Sequence, residues 1–322
     1  MSTHSFARRT ALALASLLLV ASCGDDSGSS VATQQTTAPT AAAEATFPIT
    51  VKPANGDVTI ADKPVAIVSL SPTATEMLFA IGAGEQVIAV DDQSNYPANA
   101  PKSDLSGFQP NVEAIAAQEP DLVIVQGDTE GLLAALAGLK IPTLVLPAAS
   151  NVDDAYTQIE LLGAATGNIA GAAEIVGNMK TDIAKIVAAA PKASGRKLRV
   201  FHELSPDYYS ASSKTFIGQA YALLGMENIA DAADTATTGG YPQLSAEAIV
   251  SADPDVIVLA DTVCCQQNTA AVTARAGWSQ VSAVRNGAIV EANDDIASRW
   301  GPRFVQFLQQ IADAVAKVKV PA

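Results

Sequence analysis

A thirteen-residue pattern that occurs twice limits the folds this chain can adopt. Residues 113–125 read EAIAAQEPDLVIV and residues 247–259 read EAIVSADPDVIVL, with five identical positions and mostly conservative changes elsewhere. Each copy reads as a short helix, a Pro-Asp break and a buried strand. Two copies of one α/β unit predict two similar lobes. Two convergent helix–strand units within one sheet are the alternative.

Short runs of β-branched and other apolar residues predict the strands of both lobes. Helical patterns separate most of these runs, and such alternation is typical of α/β folds with mainly parallel sheets. One helix is predicted to begin near Thr73, which has capping-box spacing to Glu76, and to end at Gly82. The predicted strands span residues 65–70, 87–91, 122–125, 143–146, 198–204, 256–260 and 288–292.

A helical stretch lies between the two copies of the repeat. Residues 153–165 predict one helix, Thr166-Gly167-Asn168 breaks it, and apolar residues from 172 to 187 then follow amphipathic helical spacing. About twenty helical residues span roughly 30 Å, which is enough to bridge two lobes. Because a helical bridge is stiff, we expect small movements between the lobes. A last helix is predicted to begin with Pro302 at its first position.

The N-terminal segment has the composition of an export signal followed by a tether. Arg8 and Arg9 precede a small and apolar run over 11–22, and the run ends in Val20-Ala21-Ser22-Cys23, which resembles a bacterial lipobox. An ordinary signal peptide with a chance cysteine is the alternative. Lipidation of Cys23 would anchor an exported protein to the outer face of the cell membrane. The predicted divisions are a signal peptide over 1–22, a lipid-anchored tether over 23–46, an N-terminal lobe over 47–149, bridging helices over 150–192 and a C-terminal lobe over 193–322.

The composition excludes several classes of protein. Of the 322 residues, 49% are hydrophobic and 16% are charged, which supports a real core. The net charge of −14 argues against a nucleic-acid partner, since it repels a phosphate backbone. The sequence has no dinucleotide fingerprint, P-loop or nucleophile elbow, and His202 is the one histidine after the signal. We therefore predict no enzyme activity, no resident metal and no cofactor.

Two adjacent cysteines, Cys264 and Cys265, follow a predicted strand. Neighbouring Cα atoms lie about 3.8 Å apart, which is below the usual disulfide range of about 4.4–6.8 Å. A disulfide between neighbours is nevertheless compatible with an exported protein. One interpretation is a rigid loop near the binding cleft. The other is a pair of thiols, or a loop staple, with no role in binding.

Aromatic and amide side chains follow the ends of the predicted strands. A cleft between two lobes is a common small-molecule site, and loops after parallel strands supply its lining. Flat apolar faces beside two arginines suit a broad, planar, partly anionic ligand. The predicted ligand-binding residues are Ser71, Gln93, Tyr96, Phe108, Gln109, Tyr208, Tyr241, Arg299, Trp300 and Arg303.

Three segments resemble the iron-complex and vitamin B12 substrate-binding proteins of bacterial ABC importers. Residues 67–97 and 110–125 are similar to the amino lobe of that family, and residues 241–260 are similar to the matching part of the carboxyl lobe. The resemblance extends from about residue 64 to the end of the chain. It implies two Rossmann-like lobes joined by a single long α-helix. It also implies delivery of a captured ligand to an ABC permease dimer with ATPase subunits.

The resemblance assigns a docking role to two carboxylates. In that family each lobe presents a glutamate to arginine pockets of the permease, and Glu113 and Glu247 match those positions. A pseudo-symmetric partner needs one carboxylate per lobe to meet a symmetric permease. Solvated carboxylates at helix N-termini are the alternative interpretation.

The resemblance leaves the ligand open among siderophore, heme and cobalamin. Tyr241 stands where the B12 binder has a cleft tryptophan, Tyr208 where it has a phenylalanine, and Gln93 where it has a tyrosine. Heme-binding relatives use a tyrosine or histidine on iron, for which Tyr96, Tyr208 and His202 are the candidates. A surface sensor or adhesion lipoprotein on the same fold, without transport, is the alternative function.

Overall fold

A computed structural model describes residues 45–191 and 195–318 of the chain. The predicted signal peptide, Cys23 and the tether up to residue 44 lie outside the described residues. The described part begins with an antiparallel hairpin of β1 (Ile49–Val51) and β2 (Val58–Ile60). Strands this short carry too little periodicity to be recognised from the sequence. Across the described residues, no helix combines the length and the apolar character needed to cross a membrane.

The N lobe is built on a four-stranded parallel sheet in the order β4-β3-β5-β6. Its strands lie within the predicted runs and are mostly buried on both faces, which explains their continuous apolar sequences. The strands are β3 (Ile67–Leu70), β4 (Val87–Val90), β5 (Leu122–Val125) and β6 (Thr143–Val145). The helices that connect them are α1 (Pro72–Ala80), α2 (Val112–Ala116) and α3 (Leu132–Gly138).

Two helices form the bridge between the lobes. α4 (Val152–Thr166) ends at Gly167, whose φ of 75° is the left-handed conformation that glycine adopts without a steric penalty. α5 (Ile169–Ala189) is the long helix of the structure and has 21 residues. It contacts α1 of the N lobe and the last helix of the C lobe, so the predicted helical bridge is confirmed.

The C lobe repeats the strand order of the N lobe. Its parallel sheet has the order β8-β7-β9-β10, so the first strand of each lobe lies between the second and the third. The strands are β7 (Arg199–Glu203), β8 (Glu227–Asn228), β9 (Val256–Leu259) and β10 (Ile289–Glu291). The helices are α6 (Phe216–Leu223), α7 (Ala246–Ala252), α8 (Thr269–Thr273), α9 (Ser282–Asn286), α10 (Asp294–Ser298) and α11 (Phe304–Val315). The two copies of the repeat therefore lie in separate sheets, as the two-lobe interpretation requires.

One predicted helix cap and one predicted helix start are wrong. α1 begins at Pro72, and Ser71 is its N-cap because its hydroxyl accepts the Ala74 backbone N–H at 3.4 Å. The capping box from Thr73 does not form, since Glu76 turns to other partners described below. α11 begins at Phe304, so Pro302 precedes the helix and does not occupy its first position.

The apolar core is continuous through both lobes. One cluster joins Met77 of α1, Ile159 of α4, Met179 of α5 and Phe307 of α11 to the inner faces of both sheets. Separate clusters cover the outer face of each sheet. Each lobe is therefore a three-layer α/β/α unit, and the bridging helices merge the two inner helical layers into one core.

Candidate ligand-binding cleft

The two lobes meet at the carboxyl ends of their sheets. Asn95, which follows β4, donates from Nδ2 to Asp295 Oδ2 at 2.8 Å. Arg299, which follows β10 and α10, donates from Nη2 to the backbone oxygen of Gln93 at 3.0 Å. Since both segments leave the carboxyl edge of their sheet, the strand-end loops of both lobes surround one junction, where ligands bind in open α/β sheets.

A buried carboxylate of the N lobe holds two arginines of the C lobe at this junction. Glu76 Oε1 accepts from Arg299 Nη1 at 2.8 Å, and its Oε2 accepts from Arg303 Nε at 2.8 Å. Burial lowers the pKa of Arg303, but the bond to Glu76 outweighs burial and raises the pKa above its usual value. Arg303 also lies 4.1 Å above the ring of Tyr96. In this structure the charges of Arg299 and Arg303 are therefore paired with Glu76 and not free for an anionic ligand.

Two other predicted ligand-binding residues are buried. The indole of Trp300 lies in the shared core and donates to Gln158 Oε1 at 2.8 Å. Ser71 is 1% exposed and is occupied as the N-cap of α1. Both residues come next to strand-end loops in sequence, but the chain turns them inward, so neither side chain lies at an open surface of the cleft.

The N-lobe wall contains an open cavity of about 340 Å³. Phe108 stands at its rim with 79% of its surface exposed, and the predicted Gln93 and Gln109 are also exposed. Gly107 is required here, because a Cβ would lie 2.7 Å from Asp91 Oδ2 and 2.9 Å from the Leu70 oxygen. The cavity is lined by Leu70, Pro72, Asp91, Gln93, Gly107, Phe108, Gln126, Gly127 and Thr129. Residues 126–129 follow β5 directly but are not among the predicted ligand-binding residues.

The C-lobe wall presents tyrosines at different exposures. Tyr209 and Tyr241 are 45% and 46% exposed, and Tyr96 at the junction is 43% exposed. Tyr208 is half-buried and has a φ of 66°, an uncommon backbone conformation for a residue with a side chain. Its ring stacks on Trp278 with centroids 5.9 Å apart, which fixes its orientation.

Asp234 fixes the loop that presents Tyr241. Its carboxylate accepts from Ser212 Oγ at 2.9 Å, from Thr238 Oγ1 at 2.6 Å and from the Gly240 backbone N–H at 3.1 Å. The hydrogen bond from Thr238, with those from Lys214 and Ser212, holds the pKa of Asp234 well below its usual value. The aromatic face of Tyr241 is therefore positioned before any ligand arrives.

A buried charge cluster lies behind the C-lobe wall. Glu203 is fully buried and accepts from Arg275 Nη1 at 2.6 Å and from Nη2 at 2.5 Å. Asp261 is also fully buried, and neither carboxylate oxygen has a hydrogen-bond partner within the described residues. Burial, with repulsion from Glu203, raises the pKa of Asp261 to about 7. The sequence contains a signal for Glu203 and Asp261, because each carboxylate stands at the end of an apolar strand and is therefore expected at the carboxyl edge of the sheet.

His202 belongs to the core and not to the cleft. It is fully buried, its Nδ1 lies 2.5 Å from Tyr221 Oη, and its ring meets Phe307 edge to face. Burial lowers its pKa to about 3, so the imidazole is neutral at physiological pH. The prediction that His202 is a candidate iron ligand is therefore wrong.

The two predicted docking glutamates occupy equivalent places. Glu113 lies in the first turn of α2, whose N-cap is Asn111, and Glu247 lies in the first turn of α7, whose N-cap is Ser245. Both carboxylates are exposed. Each lobe therefore displays one carboxylate at the N-terminus of the matching helix.

Comparison with known proteins identifies the family. The family model described as periplasmic binding protein matches residues 67–296. The chain belongs to the periplasmic binding protein family. An ABC transporter substrate-binding lipoprotein of Bacillus subtilis is 33% identical to this periplasmic binding protein over 95% of each chain. A cobalamin-binding protein of Halobacterium salinarum is 33% identical over 83% of this chain and 74% of its own.

A solved structure supports the same architecture for this periplasmic binding protein. The vitamin B12-binding protein of Vibrio cholerae superposes with a TM-score of 0.66 at 25% identity, covering 79% of this chain and 97% of its own. Homologues of the chain are substrate-binding components of ABC importers and not enzymes. Such components bind small ligands outside the cytoplasm and work with a permease and ATPase subunits. The chain is therefore a substrate-binding protein of the group that handles iron complexes, heme and vitamin B12.

Proposed function

We propose that this substrate-binding protein captures a corrinoid of the cobalamin class and delivers it to an importer. The observation that carries the proposal is that aromatic side chains are exposed on loops of both lobes, Phe108 on the N lobe and Tyr209 and Tyr241 on the C lobe. A corrin is a broad macrocycle whose faces suit flat apolar side chains. Relatives that are at least 30% identical and named as cobalamin-binding or vitamin B12-binding support the same class.

The polar groups of the cleft also favour a corrinoid over an anionic iron chelate. Gln93, Gln109 and Gln126 are exposed on the N-lobe side, and amides match the amide groups at the rim of a corrin. Arg299 and Arg303 are already paired with Glu76, which disfavours a ligand that needs their charge. Heme remains the competitor to test, because Tyr209 and Tyr241 expose phenol groups.

Calorimetric titration of the full chain in detergent with cyanocobalamin tests the ligand class, with hemin in parallel. We expect the wild type to bind cyanocobalamin, and Phe108→Ala with Tyr241→Ala to weaken binding by at least about tenfold, since two apolar contacts are lost. Leu139→Ala is the matched control, because this exposed apolar residue lies before β6, at the opposite edge of the sheet. Binding of hemin with no binding of cyanocobalamin would reject the corrinoid assignment.

We also propose that Glu113 and Glu247 dock the protein on its permease. With permease and ATPase subunits in vesicles, Glu113→Ala with Glu247→Ala should abolish most uptake and leave the ligand dissociation constant unchanged. The matched control is Glu160→Ala with Glu174→Ala, which removes two exposed carboxylates from the bridging helices. Equal uptake by both double variants would contradict docking.

Anchoring through a lipid on Cys23 completes the proposal. The sequence around Cys23 and the lipoprotein designation of the Bacillus subtilis relative support it. Cys23→Ala should move the exported protein from the membrane to the soluble fraction. Retention of that variant in the membrane would refute the lipid anchor and leave the binding function intact.

A further inference from the structure

The loop that follows β9 carries an apolar tip outside the predicted site. The structure joins Cys264 and Cys265 in a disulfide, and Cys264 is exposed. The preceding Val263 has 65% of its surface exposed. An aliphatic side chain and a disulfide thus lie side by side, exposed at the end of a parallel strand.

The tip is anchored next to the contact between the lobes. Asp294 accepts from the Val263 N–H at 3.0 Å and from the Cys264 N–H at 2.8 Å. The next residue, Asp295, accepts from Asn95 of the N lobe and from Arg299. Consecutive residues of α10 therefore hold the tip and the lobe junction, which places the tip at the rim of the cleft.

The internal repeat leads to the same placement independently. In the register that aligns 113–125 with 247–259, Gly127 corresponds to Asp261 and Thr129 corresponds to Val263. Gly127 and Thr129 line the N-lobe cavity. Because the two sheets have the same strand order, the loop after β9 is the C-lobe counterpart of that cavity wall.

The chemistry of the tip is that of an apolar surface. Its backbone donors are used internally, since the Asp294 carboxylate takes two of them. The backbone oxygen of Asp261 also accepts from the N–H groups of Cys265 and Gln267 at 3.2 Å each. What remains outward is a branched aliphatic side chain and polarisable sulfur, which makes favourable contacts with conjugated rings. Closure of the ring between neighbouring cysteines also fixes the peptide between them.

We propose that Val263 and the Cys264–Cys265 disulfide form an apolar subsite for the face of a conjugated macrocycle, and that the disulfide must be closed for full affinity. The subsite rests on the proposed function of the cleft. Reduction by a dithiol transfers two electrons and two protons to the two sulfurs, and the dithiol becomes a cyclic disulfide. The product is two independently rotating thiols in place of one fixed surface, so the matching shape is lost.

Titration of the full chain in detergent with cyanocobalamin tests the subsite. Val263→Ser should weaken binding about tenfold, because one apolar contact is lost and a hydroxyl is buried. The matched control is Val65→Ser, since Val65 is 71% exposed and precedes β3 at the opposite edge of the N-lobe sheet. Val65→Ser should leave the dissociation constant unchanged.

The redox arm uses dithiothreitol and the paired variant Cys264→Ser with Cys265→Ser. Treatment of the wild type with dithiothreitol should weaken binding several-fold, and removal of the reductant with reoxidation should restore it. The double variant should bind as weakly as the reduced wild type and should not respond to dithiothreitol. Mass spectrometry after alkylation confirms the redox state in each sample.

The outcomes separate this inference from the proposed function. Wild-type binding that is insensitive both to Val263→Ser and to dithiothreitol overturns the subsite and leaves the corrinoid assignment standing. An effect of Val263→Ser without any effect of dithiothreitol overturns the requirement for a closed disulfide. A wild type that does not bind cyanocobalamin overturns the proposed ligand and, with it, the subsite.

Discussion

The two lobes share one strand order and differ at the carboxyl edges of their sheets. Leu70 at the end of β3 pairs with Val125, and Glu203 at the end of β7 pairs with Leu259, the residue that matches Val125 in the repeat. Leu70 therefore corresponds to Glu203 in the sheets, and Gly127 corresponds to Asp261 in the repeat. In the N lobe these positions line an open cavity. In the C lobe they are carboxylates, and Arg275 is bound to Glu203 there. The comparison teaches that a few strand-end residues decide whether a common scaffold leaves a cavity or fills it.

The helices after the first strands differ in the same way. α1 and α6 both end before a glycine with positive φ, Gly82 at 88° and Gly225 at 69°. Counting back from these glycines, Glu76 corresponds to Gln219. Glu76 is buried against two arginines of the other lobe, whereas Gln219 makes one 3.4 Å contact to the oxygen of Ser213 within its own lobe. The junction is therefore asymmetric, with the anion in the N lobe and the cations in the C lobe.

The largest expected effect comes from removing that anion. Glu76→Ala removes the carboxylate that Arg299 and Arg303 share, although Arg299 keeps its bond to Asp295. Breaking a buried pair costs about 3–5 kcal/mol of unfolding free energy. We expect the upper part of that range, because two cations lose one shared partner. Urea unfolding measures the loss, with Glu160→Ala on the exposed face of α4 as control. A loss below about 1 kcal/mol, typical of a surface pair, would contradict a buried junction.

Arg275 tests the C-lobe side of the comparison. Arg275→Ala leaves Glu203 and Asp261 as neighbouring buried carboxylates, so we expect a loss of about 3 kcal/mol in urea unfolding. Tyr208 also loses a cation that lies 5.2 Å from its ring centroid. Arg285→Ala, at an exposed arginine of α9, should cost less than about 1 kcal/mol. If both arginine variants unfold alike, the charge cluster does not stabilise the lobe.

Asp261 gives the lobes different responses to pH. Its pKa is raised from 3.8 to about 7, so between these values the native state holds a proton that the unfolded state has released. The stabilisation is present below pH 4 and is lost as pH rises through 7. Asp261→Asn does not titrate, so its stability relative to wild type should rise by roughly 4 kcal/mol from pH 4 to 8.

Paired urea unfolding curves at several pH values measure this difference. Burial of His202, whose pKa falls to about 3, makes stability rise with pH between 3 and 6.5, opposite to the effect of Asp261. Wild type and Asp261→Asn share this contribution, so it cancels in their difference. Asp207→Asn, at an exposed position, is the matched control. A difference between Asp261→Asn and wild type that stays flat with pH would exclude Asp261 as the titrating group.

The fold could be predicted largely because burial leaves a simple record in the sequence. Strands such as β5 and β9 are buried on both faces and read as unbroken apolar runs, and the glycine after α4 marks the end of that helix. β8 has two residues and could not be recognised, because so short a run has no periodicity. The cap of α1 could not be assigned from the sequence, because Ser71 and Thr73 both carry hydroxyls that can cap a helix.

The site was harder to predict, because exposure depends on partners that are distant in sequence. Phe108 and Tyr241 follow strands and are exposed, as the loop rule suggests. Arg299 obeys the same rule but is bound by Glu76, which lies 223 positions earlier in the chain. No local sequence pattern reveals that pairing. Trp300 is likewise turned inward by a residue distant in sequence, since its indole N–H donates to Gln158.

The smallest expected effect tests where the lobes remain alike. Asn111 caps α2 by accepting the Ala114 N–H at 2.9 Å, and Ser245 caps α7 by accepting the Ala248 N–H at 3.2 Å. Asn111→Ala and Ser245→Ala should each cost about 1 kcal/mol of unfolding free energy. Both should also reduce uptake slightly, because each cap fixes the turn that carries Glu113 or Glu247. If only one of the two variants loses unfolding free energy, the caps of α2 and α7 do not stabilise their lobes equally.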